Sequence, residues 1–379
     1  MNISVEYVSN DIASSLLFAN LVDKKKDCHL KYTTYDLAKV IPVGLNNEDF
    51  RIRGGVLDVD NQYVVESAFH ECEMVSRIVY PCLDINNDYS NINAIYIGQQ
   101  YACWGHAITD NLAKIWFLFT EEGKRLLSLG YKVVFTTIFN VDLPEYIKEI
   151  FDLLEIEYLH IRHTSSFKKI LIPQSSLLFD GNYRYFTEEF KNTINILKGK
   201  CNKNCNVALE DKIYFSRSQW KSWVEMGEND VESLFVRKGY KVIYPENHTV
   251  LEQINMVSHA NSFAATEGSI AHISMFASSS TKIQILMKAN YVNSYQCCIN
   301  QMADLDVEYI NVNNSTKSHP THPWWGPFYL FRTKELIQWS MLDIVYIPYY
   351  LKIGYYKYIL NDLYEIIRRA CKKIISNKI

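Results

Sequence analysis

The stretch NSFAATEGSIAHISMFASSSTKIQILM, residues 261–287, decides the fold class. It opens on a β-type run, Asn261 to Thr266, and closes on another, Thr281 to Met287; between them 270–278 carries apolar residues at helical spacing. Strand, helix, strand is the repeating unit of a parallel sheet, because parallel neighbours need a crossover connection. At the first junction Glu267, Gly268 and Ser269 follow the strand, where a helix N-terminus offers N–H groups and a positive dipole end to an anion. Gly268 and Ser269 suit a phosphate. Glu267 is itself an anion and suits sugar or ribose hydroxyls; a tight turn with a capping serine is the purely structural alternative. His272 lies just beyond, in the same segment.

The same alternation extends in both directions. Strands are expected at 94–98, 131–137, 156–161 and 168–173, with helices near 106–120, 145–154 and 187–198. The polar run KGKCNKNCN, 198–206, reads as a linker. Beyond it strands are expected at 211–216, 240–245, 261–266 and 281–287, with helices near 228–238, 250–259 and 270–278. GGVLDVDNQYVVES, from Gly54, reads as β structure with a turn. The expectation is an α/β chain with two Rossmann-like halves, 1–198 and 207–340, and a tail, 341–379.

Composition narrows the partner. With 379 residues, 48% of them hydrophobic, the chain can bury a substantial core, and its formal net charge of -3 gives no electrostatic case for nucleic acid. The first residues lack a basic segment leading into a long apolar run, and nine cysteines are scattered without paired spacing, so a cytoplasmic chain with reduced thiols is expected. The tail ends YEIIRRACKKIISNKI, interleaving apolar and basic residues at helical spacing. Two readings stand: an interfacial helix on an anionic membrane, or a helix packed on the body with a solvated basic face.

Four other segments carry candidate chemistry. In YACWGHAITDNLAKIWFLF, 101–119, a continuous helix puts Ile108, Leu112, Ile115 and Phe119 on one face and His106 and Asp110 on the other, as a base or hydroxyl-binding pair or merely as exposed neighbours. In DKIYFSRSQWKSW a strand ends in Ser216, Arg217 and Ser218 with Lys221 behind, a candidate diphosphate clamp unless Arg217 only pairs with an acid. Thr249 and Glu252 fit a capping box, and Gln253 adjoins them. Trp324 and Trp325 offer an apolar platform for sugar rings or ordinary loop packing. Asp58/Asp60 and Asp304/Asp306 are short Asp-x-Asp pairs of a kind that holds a divalent metal, but neither clearly follows a strand of a Rossmann half; His319 and His322 lack further zinc ligands. No G-x-G-x-x-G after a strand, P-loop or G-x-S-x-G is present, which disfavours dehydrogenase, kinase and serine hydrolase chemistry.

Taken in order, WGHAITDNLAKIWFL, IYFSRS, GENDVESLFVRKGYKVIYPENHTVLEQINMVSHANSFAATEGSIAHISMF and YVNSYQCCIN resemble the bacterial members of glycosyltransferase family 61, over roughly 95–300. The resemblance implies a GT-B fold with a cleft between two Rossmann-like domains, and sugar transfer from a nucleotide-sugar donor with inversion and no essential metal. It implies hexosyl-, N-acetylhexosaminyl- or pentosyltransfer to a glycan or lipid-linked acceptor in surface polysaccharide synthesis. By the same resemblance His106, Asp110 and Asn111 match the family's first-domain residues, Arg217 its arginine, Glu252 and Gln253 its Glu-Gln pair, and Gly268 and Ser269 its last motif. Glu267 stands where many relatives carry His, and Ile273 where they carry Asn. Asp110 is the expected base with His106 as alternate or partner, and Asn111 is expected on the acceptor side with the two tryptophans. Donor contacts are expected from Ser216, Arg217, Ser218, Glu252, Gln253, Glu267, Gly268, Ser269 and His272. The altered positions also admit a non-catalytic sugar-binding or assembly protein, and the Asp pairs a metal-dependent transferase.

Overall fold

The computed structural model describes residues 1–21, 29–45, 52–68, 85–180, 183–204, 208–220, 225–313 and 328–376. The chain forms two compact units. One, here the split unit, joins Met1–Asp23 to Asn206–Ile379; the other, the inserted unit, is Lys24–Cys205. The N-terminal residues therefore belong with the C-terminal half.

Six parallel strands make the sheet of the split unit, in the order Lys241–Ile243, Lys212–Phe215, Ser262–Thr266, Lys282–Met287, Asp306–Asn311 and Asn2–Tyr7. Numbered by appearance after residue 206, the first five run 2-1-3-4-5, so the order reverses between Lys212–Phe215 and Ser262–Thr266. At such a reversal the crossovers leave in opposite directions and open a crevice at the carboxyl ends. Ile213, Tyr214, Phe215, Phe263, Ala264 and Ala265 are all buried. Such unbroken apolar runs fit strands covered on both faces. Tyr214 stacks on Phe235 of the Glu228–Arg237 helix with ring centroids 4.6 Å apart, fixing that helix against the first strand.

The inserted unit has a parallel core in the order Ser165–Pro173, Asn87–Gln100, Lys132–Thr137 and Tyr158–His160. Tyr32–Asp36 and Lys39–Leu45 pair antiparallel with Ser165–Pro173, and Ile52–Leu57 and Tyr63–Val64 extend the sheet. The last two form the hairpin expected around GGVLDVDNQYVVES. Its turn is closed by Asp58 Oδ1, which accepts the N–H groups of Asp60 at 3.0 Å and Gln62 at 2.8 Å. The reversal in this parallel core lies between Asn87–Gln100 and Ser165–Pro173.

Three local expectations are corrected. The helix expected over 106–120 is broken into Trp104–Ala107, Asp110–Leu112 and Ile115–Phe119. The break is at Thr109, whose φ of -117° and ψ of -91° are not helical and whose Oγ1 donates to the Gly105 carbonyl at 2.8 Å. The linker expected at 198–206 is helical through Asn204, because Phe190, Ile194, Leu197 and Cys201 continue one buried stripe along Glu188–Asn204. The segment expected as a helix at 270–278 is a 3-10 turn, Ala271–Phe276.

Candidate active site

In the split unit the carboxyl ends of Lys212–Phe215 and Ser262–Thr266 flank the reversal, and Arg217 joins them. Its Nη2 donates to Ser269 Oγ at 2.7 Å and its Nη1 to Glu225 Oε1 at 3.2 Å. The rest of the Ser216–Ser218 loop is tied to the helix behind it. Both serine hydroxyls donate to Glu232, and the Arg217 N–H donates to Glu228 Oε2 at 3.1 Å. The hydroxyls expected beside a diphosphate thus hold the loop, and the guanidinium is what the loop presents.

A second cation lies beside it. Lys288, directly after the Lys282–Met287 strand, donates to the same Glu225 oxygen as Arg217 and is 7% exposed. Gly268 has φ of +117°, and a Cβ added there would lie 3.3 Å from Lys288 Nζ. The backbone conformation therefore favours glycine, and a Cβ would also press on the ammonium, which would have to give by a few tenths of an ångström. Among the described residues the N–H groups of Gly268 and Ser269 have no acceptor. Two backbone donors and two cations gather at the carboxyl ends of three neighbouring strands, an arrangement suited to an anion.

The carboxylates separate by environment. Burial would raise Glu225, but Lys288 and Arg217 hold it below the usual range. Glu267, 1% exposed, is pushed up by burial, with Lys288 and the Asn293 N–H opposing. Its Oε2 has no partner among the described residues. Glu228 is raised to about 7, first by burial and then by Glu225.

The Glu228 shift predicts a pH effect. Unfolded, this carboxyl loses its proton near its ordinary 4.5; folded, near about 7, so between those values the folded state binds more protons and stability falls as pH rises. The loss, roughly 3 kcal/mol, is complete above about pH 7. Urea unfolding of wild type and Glu228→Gln from pH 4.5 to 8 should show the difference between them changing by that order, and parallel curves would count against the assignment.

In the inserted unit the break at Thr109 brings His106 and Asp110 together: Nδ1 lies 2.7 Å from Asp110 Oδ2, and the Thr109 hydroxyl, whose one proton is shared with the Gly105 carbonyl, lies 2.9 Å from the same oxygen. The aspartate does not project away from the core as a continuous helix required. Its side chain is 3% exposed against 27% for His106. Tyr101 stacks on the imidazole with centroids 4.9 Å apart, and Asn111 anchors Tyr101, accepting its N–H at 2.9 Å and donating to its carbonyl at 3.1 Å. Asp110 also lines a recess with Gly98, Gln99, Lys114 and Ser175, at the carboxyl ends of the two strands that flank the reversal.

Residues 104–284 match the model of the glycosyltransferase 61 family. The match runs from Trp104, which opens the short helix carrying His106, into the Lys282–Met287 strand, and it supports a glycosyltransferase. Comparison with curated proteins gives no match.

Within the matched segment, other expected residues make local structural contacts. Glu252 and Thr249 form the capping box, with Glu252 accepting the Thr249 N–H at 3.0 Å and Thr249 Oγ1 accepting the Glu252 N–H at 3.2 Å. Gln253 Nε2 donates to the Pro245 and His248 carbonyls. His272 is buried, with Nδ1 3.0 Å from Gln296 Oε1, at the head of a polar chain through Asn300 to Asn20 and Tyr309. Asp304 of the second Asp pair meets the amino terminus. Among the described residues no three His, Cys, Asp or Glu side chains gather as metal ligands. Trp324, Trp325, His319, His322 and Lys221 lie outside the described residues.

Sequence reasoning passed over Glu225, Glu228, Glu232 and Lys288. Lys288 had a signal, since it stands at the carboxyl end of a strand, as Arg217 does. The acids in EMGENDVE, just after the Arg217 loop, were the corresponding signal for its partners.

Proposed function

We propose that this chain is an inverting glycosyltransferase of the GT-B type, moving a sugar from a nucleotide-sugar donor to a glycan acceptor in bacterial surface polysaccharide synthesis. The observation that carries the reading is the Arg217–Ser269 bridge across the strand-order reversal, inside the family-matched segment with Glu225, and Lys288 beside it just past the segment's end. Ligands of open α/β sheets bind at that place, and a leaving diphosphate needs positive charge there. The resemblance of the ordered segments to bacterial relatives supports the polysaccharide role.

His106 takes the acceptor hydroxyl proton at Nε2. Its Nδ1 carries a proton toward Asp110, because an ionised carboxylate only accepts, and this leaves Nε2 the basic nitrogen. The burial of Asp110 and the two groups already on Oδ2 favour it as the positioning residue, reversing the order of roles expected from sequence. As the acceptor oxygen bonds to the anomeric carbon, the bond to the diphosphate breaks and its electron pair stays on the departing oxygen. Arg217, Lys288 and the N–H groups of Gly268 and Ser269 stabilise that charge, so the reading requires no divalent metal.

The test is slow donor hydrolysis across a panel of nucleotide sugars, with and without a chelator. Turnover of one donor, unaffected by chelator, is expected; loss of turnover with chelator moves the reading to a metal-dependent transferase, and absence of nucleotide binding moves it to a sugar-binding protein. Arg217→Ala should weaken binding of the matching nucleoside diphosphate by about 10- to 100-fold, the range for charge-assisted hydrogen bonds. Unchanged affinity by calorimetry would defeat the clamp.

A further inference from the structure

Among the described side chains of the tail helix Ile353–Ser376, apolar residues lie on two faces, one covered and one exposed. On one, Tyr355, Tyr358 and Ile359 pack with Tyr329 and Phe331, and Gly354 lets the helix approach the Tyr329 hydroxyl. On the other, Ile353, Tyr356, Leu360, Leu363, Tyr364 and Ile367 recur at intervals of three and four and are all exposed, Leu360 by 67% and Ile367 by 61%. The preceding segment adds Met341, Val345 and Leu351, also exposed. Contiguous apolar surface of this kind marks a binding face.

Charge selects the occupant. Residues 352–379 carry seven Lys and Arg against two Asp and Glu, in a chain whose formal net charge is -3. At about 100° per residue, Lys357 and Arg368 fall along one border of the apolar stripe. A second copy laid on this stripe would bring like charges together, whereas an anionic headgroup layer complements them. Among the described residues no helix is long and apolar enough to cross a membrane. We infer that the exposed face of Ile353–Ser376 docks on an anionic lipid bilayer, lying in the interface with its apolar stripe toward the acyl chains and its basic border at the headgroups. The inference does not depend on the transferase reading.

Flotation of the full chain with vesicles of a zwitterionic phospholipid, with and without an anionic phospholipid, tests it. Binding is expected to the anionic vesicles, weakened by salt, and Leu360→Glu with Ile367→Glu should lower it by more than about tenfold. Both positions are exposed, so the fold should survive, and an unchanged melting transition checks this. Failure of the full chain to float with anionic vesicles, or equal flotation of the double variant, overturns the inference. Self-association abolished by the same two substitutions, without vesicle binding, also overturns it and assigns the stripe to a second copy.

Discussion

His106→Ala is expected to lower sugar transfer by about 10²- to 10⁴-fold, the usual contribution of a positioned general base, with donor affinity left within a factor of a few. The base works only as the acceptor proton leaves, so the loss should appear in kcat rather than in donor KM. Asp110→Asn should reduce kcat as well, because a carboxamide no longer orients and stabilises the imidazolium through Nδ1. If His106→Ala turns over normally while Asp110→Asn is dead, the roles are the reverse of those proposed. If both turn over normally, the pair is structural. An unchanged melting transition serves as the folding control, since donor affinity reports the Arg217 cluster in the other unit.

Lys288→Met is expected to cost about 3–5 kcal/mol of stability, the range for removing one partner of a buried ion pair. Glu225 would keep only Arg217, and Glu267 would lose the cation that opposes its desolvation. Removing both buried members of the pair, as Lys288→Met with Glu225→Gln, should recover most of the loss, since no uncompensated buried charge remains. Urea unfolding of the two variants checks the pattern; a single variant within about 1 kcal/mol of wild type would mean that the ammonium is better solvated than its burial indicates. Nucleotide affinity should fall in the double variant despite its recovered stability, because the Lys288 ammonium is gone and Arg217 loses the ionised anchor on Nη1.

The central parallel strands of both sheets were legible because buried parallel strands write long apolar runs, as in KIYF and KIQILM, whereas Asn2–Tyr7, Tyr32–Asp36, Lys39–Leu45 and Asp306–Asn311 were not expected. The helix over 101–119 was misread for a physical reason. Apolar spacing there fits a helix, but the Thr109 hydroxyl competes for the Gly105 carbonyl and breaks it, and periodicity carries no trace of that hydrogen bond. Cys201 shows the converse: a polar surrounding sequence looked like a linker, while the buried stripe continued through it.

At the candidate site, the sequence by itself determined which residue types stand at strand ends: Arg217, Gly268 with Ser269, and, unnoticed, Lys288. That follows from strand boundaries, which are local. The tertiary structure alone decided partners and protonation. It placed Glu225 against both cations, turned the Ser216 and Ser218 hydroxyls to Glu232, and enclosed Glu267 so that its carboxyl is raised. It also buried Asp110 beneath His106. Charge pairing and desolvation depend on groups distant in sequence but within a few ångströms in space, and only the folded chain fixes those distances.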